Sequence, residues 1–144
     1  MQKHLTGMKR LQNHGGFERK NIDIYYDNSC YNSPMLTSEQ IENKLDRILL
    51  KVQKPGRYVG GELNSTVKDW DKTQTRVAFV FPDIYDIGVS NVGLKILYDQ
   101  VNQRDDALAE RAYSPWFDME VLMREHGIPL YALESKRPLA CFDL

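Results

Sequence analysis

A chain of 144 residues with 42% hydrophobic and 27% charged side chains has the size and composition of one globular domain. Nineteen basic and twenty acidic side chains leave a formal net charge of −1, which excludes a broad electrostatic surface for nucleic acid while leaving a local patch open. No run approaches the roughly 20 consecutive apolar residues of a membrane helix. Two cysteines, Cys30 and Cys141, are too few for a disulfide framework or a multi-cysteine metal cage. Met1-Gln2-Lys3-His4 opens without the apolar stretch of a secretory signal, so the expectation is a reduced, cytoplasmic protein.

Residues 1–36 are rich in Asn, Gly, Lys and Tyr, and their apolar side chains keep no period. Asn13-His14-Gly15-Gly16 and Asp27-Asn28-Ser29 are turn-forming clusters. Ile22, Ile24 and Tyr26 alternate too briefly to hold a strand without a partner. A disordered extension is expected, because so little apolar surface does not offset the entropy of ordering.

Residues 37–75 read as a helix and an irregular connector. Thr37-Ser38-Glu39-Gln40 has the spacing of a capping box, in which hydroxyl and amide side chains satisfy exposed N–H groups reciprocally. Ile41, Leu45, Ile48, Leu49 and Val52 recur at helical spacing and form one apolar stripe. Pro55-Gly56 is expected to end the helix, and the connector beyond it carries Gly60-Gly61.

Residues 76–144 read as βαβαβ, giving an α/β fold class with a partial parallel sheet after an N-terminal helix. Val77-Ala78-Phe79-Val80-Phe81 is a continuous apolar run, as in a strand covered on both faces. Ser90 is the expected cap of a helix whose Leu94, Leu97, Tyr98 and Val101 share a face. A second strand is expected over residues 108–113. Ser114-Pro115 then opens a helix that buries Met119, Leu122 and Met123 and closes at Gly127 in the left-handed conformation. Residues 129–133 are the expected third strand, and Leu139, Ala140, Cys141, Phe142 and Leu144 the start of a fourth. The expectation is a chain cut from something longer.

In an open α/β sheet, ligands sit beyond the carboxyl ends of the strands. After the first strand comes Pro82-Asp83-Ile84-Tyr85-Asp86-Ile87-Gly88-Val89-Ser90-Asn91-Val92-Gly93. Its candidate cofactor-binding residues are Asp83, Tyr85, Gly88, Ser90, Asn91 and Gly93: glycines admit close backbone approach, and a helix start presents free N–H groups. Asp83 and Asp86 would repel a dianion, and neither the P-loop nor the dinucleotide fingerprint is matched. The competing reading has the aspartates capping turns and Gly93 packing on the strand. His4, His14 and His126 lie away from this loop, so no catalytic residue is assigned. Tyr113, Trp116 and Phe117 line a flat cofactor or cover the core.

Four segments carry a resemblance. They are Lys54-Pro55-Gly56-Arg57-Tyr58-Val59-Gly60-Gly61-Glu62, the stretch from Phe81 through Gly93 to Leu94, Glu110-Arg111-Ala112-Tyr113-Ser114-Pro115-Trp116-Phe117-Asp118-Met119-Glu120, and Leu133-Glu134-Ser135-Lys136-Arg137-Pro138-Leu139. In this order they resemble the N-terminal region of B12-binding-domain-containing radical SAM proteins. The resemblance implies an incomplete, cobalamin-binding-like Rossmann domain over residues 76–144, preceding a radical SAM barrel in the same full-length chain. It also implies that the barrel binds a [4Fe-4S] cluster through a C-x-x-x-C-x-x-C loop, and S-adenosylmethionine at the open iron. Two isolated cysteines do not form that triad, so this chain is expected to be inactive alone, with no metal ligand of its own. Cobalamin modules that ligate cobalt use Asp-x-His-x-x-Gly; Tyr85 stands at the histidine position between Asp83 and Gly88, so a corrinoid would bind without a protein imidazole.

The leading expectation is therefore the N-terminal domain of a radical SAM iron–sulfur enzyme, supporting the barrel and shaping a corrinoid or substrate pocket. A stand-alone corrinoid-binding module without catalysis is the alternative. A receiver-like signalling domain ranks last, since it needs an aspartate ending the third strand, where Glu134 follows Leu133.

Overall fold

The structure is a computed structural model that describes residues 35–144; nearly all of the expected extension, with residues 22–26, lies outside the described residues. Within them the chain is α/β, with a two-stranded parallel sheet and several helices.

Helix α1 (Ser38–Ile48) begins as its capping box predicts. Gln40 N donates to Thr37 Oγ1 at 3.2 Å, and Thr37 N donates to Gln40 Oε1 at 2.9 Å. Ile41, Leu45 and Ile48 fall one turn apart and are buried. They meet Met119 and Met123 of helix α5 (Phe117–Glu125), together with Val52, Tyr58, Ile128 and Tyr131. Gly127 ends this helical segment at φ +60°, in the left-handed region predicted for it. Lys44 Nζ donates to His126 O at 2.6 Å, fastening α1 to the end of α5. This cluster is built from helices and loops and contains no strand residue.

Strands β1 (Thr75–Phe81) and β2 (Ala107–Tyr113) pair in parallel from Thr75↔Ala107 to Phe81↔Tyr113. Between them run the short helix α3 (Tyr85–Gly88) and helix α4 (Val92–Asn102). The outer edge of β2 is closed by side chains. Lys68 Nζ donates to Ala107 O at 2.7 Å. The Asn102 amide gives and takes a bond with Ala109 at 3.0 and 2.9 Å, imitating a neighbouring strand. Glu134 Oε2 accepts Arg111 N at 2.8 Å, and Leu133 N donates to Arg111 O at 2.7 Å. With its polar groups spent, this edge offers no template for pairing.

Several expectations are corrected. Residues 129–133 form no strand, only an isolated Tyr131↔Pro138 bridge, because the chain turns back where Lys136 sits at φ 58° and Lys136 N bonds Ala132 O. The apolar end forms a 3-10 turn, Leu139–Cys141, before Asp143 and Leu144 reach the edge of β1. β1 is not covered on both faces: Val80 is 53% exposed. In α4, Asn91 caps by accepting from Leu94 N at 2.9 Å, while Ser90 Oγ donates backward to Ile87 O. Leu97 is 54% exposed, leaving Tyr98 as the buried residue of that helix. Trp116 rather than Pro115 borders α5, its N–H held by Tyr58 Oη at 3.1 Å. Pro55-Gly56 starts the short helix α2 (Gly56–Val59); α1 has already ended in the 3-10 turn Leu49–Lys51.

Candidate functional site

The loops leaving the carboxyl ends of β1 and β2 meet, with Ser114 N donating to Asp83 O at 3.0 Å. Here Tyr85 lies edge-on to Tyr113, ring centroids 5.3 Å apart. Gly88 passes directly beneath Tyr113: a Cβ there would fall within contact of the Tyr113 ring and of Phe81. The glycine is needed for packing against the strand ends.

A chain of charged groups runs inward from Tyr85. Tyr85 Oη donates to Glu62 Oε1 at 2.6 Å, and Glu62 Oε2 lies 2.6 Å from Arg111 Nη2. Arg111 Nε donates to Glu134 Oε1 at 2.7 Å, and its guanidinium rests over Tyr98 at 4.7 Å. Arg111 is 6% exposed and the Glu134 side chain 4%. Such a charge is tolerated at that depth because two carboxylates and an aromatic face replace water. Burial acts to lower the Arg111 pKa, but the Glu134 hydrogen bond and charge outweigh it and raise it overall. Burial, reinforced by Glu62, pushes the Tyr85 hydroxyl up to about 12.

Around this line the loops are pinned at close range. Asp86 receives Arg57 at 2.5 Å and Lys54 at 3.1 Å, which hold its carboxyl below the usual range. Lys136 Nζ donates to Val59 O at 2.8 Å and Leu133 O at 2.5 Å. Gly60, at φ +67°, lies so near Leu133 O that no side chain fits. A cavity of about 20 Å³ remains between Tyr58, Tyr85, Tyr113 and Leu133, room for one water beside these rings. On the opposite face of β2, Glu110 is 3% exposed and takes both Ser135 donors on Oε2. It borders a polar cavity of about 310 Å³ with Trp70, Ser135 and Arg137.

The residues singled out from sequence separate into two groups. Tyr85 and Gly88 come together against Tyr113. Asp83 accepts Ile84 N at 2.7 Å, Ser90 and Asn91 close turns, and Gly93 faces Asn91 Oδ1 at 3.3 Å from where its Cβ would stand. Sequence reasoning passed over Glu62, Arg111 and the partnership of Glu134 with Arg111. The signal was present: Glu110-Arg111 interrupts an apolar strand, and a buried charged pair requires partners.

These residues do not fit the groups that the resemblance implies. Cys141 is the one described cysteine, and the chain's other, Cys30, leaves the triad of thiolates incomplete. The Tyr85 hydroxyl is taken by Glu62, and Gly88 is covered by Tyr113, so neither is presented to a corrinoid. His126, whose Nδ1 lies 2.9 Å from Leu122 O, belongs to the end of α5. No helix among the described residues is long and apolar enough to cross a membrane.

No curated protein and no solved structure matches the chain. Residues 93–144, a little over a third of it, match the family model described as radical SAM proteins, N-terminal, which supports the N-terminal region of a radical SAM protein.

Proposed function

We propose that this chain is the N-terminal module of a radical SAM enzyme, packing against the catalytic barrel of the same polypeptide and supporting it. The observation that carries the reading is the family match over residues 93–144, which spans α4 from its second residue, β2, α5 and the Glu110, Arg111 and Glu134 side chains. In this reading the [4Fe-4S] cluster and S-adenosylmethionine belong to the barrel and supply radical chemistry there. The charges inside this module are spent on one another: Arg111, Glu62, Glu134 and the Tyr85 hydroxyl form one closed line. Such mutual satisfaction suits a rigid support better than a site that must exchange ligands. A cytoplasmic setting accords with the cluster chemistry proposed for the barrel.

The corrinoid role is the weaker half of the resemblance, since Tyr85 and Gly88 face protein groups. A support without bound cobalamin is our reading of residues 76–144. The genomic reading frame tests the main proposal. A C-x-x-x-C-x-x-C sequence is expected downstream in frame with Leu144; a stop codon before any such motif would remove it.

A further inference from the structure

The two edges of the sheet are unlike, and the difference points to an interaction surface. In a parallel ladder, alternate residues direct their N–H and C=O groups to opposite neighbours. In β1 the outward set includes Arg76 and Ala78. Leu144 N donates to Arg76 O at 3.3 Å, and Ala78 N donates to Leu144 O at 2.8 Å. One residue that donates to position 76 and accepts from position 78 is paired with Val77 in the parallel sense. Asp143 steadies the approach: its N–H donates to Arg76 O at 2.9 Å and its Oδ2 accepts Arg76 N at 2.8 Å.

Beyond that point the edge is open among the described residues. Val80 follows Ala78 in the outward set, and neither the Ala78 carbonyl nor the Val80 N–H and C=O has a partner among the described residues. The Val80 side chain is exposed as well. Natural sheets shield such edges with charges, bulges or covering elements. β2 is shielded in that way by Lys68, Asn102, Glu134 and Leu133, whereas no described residue shields β1 past Ala78.

We propose that the outer edge of β1 from Ala78 to Val80 receives an extended strand joined in sequence to Leu144, parallel to β1. Continuity selects this occupant: Leu144 already holds the register on Arg76 and Ala78, and residues joined to it reach Ala78 O and Val80 by simply continuing along the edge. In that register the second residue beyond Leu144 donates to Ala78 O and accepts Val80 N–H. The first and third lie on the face of Val80, where apolar side chains cover it. The register comes from the backbone hydrogen bonds of Leu144, and the existence of a continuing chain rests on the proposed function above.

The test extends the chain. Two versions are made, one continuing past Leu144 with Val-Thr-Val-Thr-Val and one with Gly-Pro-Gly-Pro-Gly. Amide hydrogen exchange is read by NMR at Val80, with Ala109 as internal reference. The first tail is expected to slow exchange at Val80 by about tenfold or more, with the second leaving it unchanged. Val80→Pro deletes the outward N–H while sparing the bonds to β2, and is expected to abolish any rise in melting temperature given by the first tail. Unchanged exchange at Val80, or a rise that survives Val80→Pro, overturns the proposal.

Discussion

Arg111 carries more of the site than any other residue. Its guanidinium is held by Glu134 and Glu62 and backed by Tyr98, so truncation strands two carboxylates with little water to replace it. Arg111→Ala is expected to cost about 3–5 kcal/mol, read from urea unfolding, whereas Tyr85→Phe costs about 1 kcal/mol because Glu62 keeps Arg111. Tyr85 also adds a pH signature. Its pKa is raised from 10.0 to about 12, so its contribution is complete below about pH 10 and is lost as pH climbs toward 12. The Tyr85→Phe variant is therefore expected to lose stability less steeply than wild type across that interval, measured by melting temperature. Glu110 behaves in the same sense at lower pH. Burial raises its pKa despite the Ser135 bonds, so its stabilising share is present at acid pH and fades as the group ionises. Glu110→Gln is expected to melt higher than wild type at pH 7 and not at pH 4. At this scale the sequence exposed the candidates only in part. Glu110-Arg111 within an apolar strand advertised buried charge, but Glu62 and Glu134 lie far along the chain, and nothing local announced which carboxylates would arrive.

Among the elements, α1 was legible from its letters because capping and amphipathic spacing are local properties. Thr37→Ala should lower stability by about 1 kcal/mol in chemical denaturation, the usual loss for an N-cap hydroxyl. The strands were legible as apolar runs, since β1 and β2 form within two residues of their expected limits. Residues 129–133 show where that signal misleads. Tyr131, Ala132 and Leu133 are buried, but Leu133 and Glu134 serve the edge of β2 without forming a strand. Periodicity reports burial; it does not report which hydrogen-bonding partner a backbone finds. The Asn102 amide is a comparable case: an ordinary helix-end residue by sequence, it stands in for a missing strand opposite Ala109. Asn102→Ala should cost about 1–3 kcal/mol by leaving Ala109 unpaired, and should speed amide exchange at Ala109.

For the molecule as a whole, a core of helix and loop residues accompanies a small sheet whose strand ends are held by ion pairs and aromatic packing. The support proposed above has a direct check against its corrinoid alternative. After incubation with hydroxocobalamin and gel filtration, the protein fraction is expected to carry no visible corrinoid absorption; retained absorption would favour the binding module. The amino-acid order by itself determined the capped helix, the two parallel-strand segments, the left-handed Gly127 and the shortage of cysteines. Each of these depends on neighbours in sequence or on composition. Only the tertiary structure decided that Gly88 makes room for Tyr113, that Arg111 joins Glu62 to Glu134, and that among the described residues β2 is closed while β1 stays open past Ala78. Those outcomes depend on groups brought together from distant positions, where geometry selects among many chemically acceptable partners.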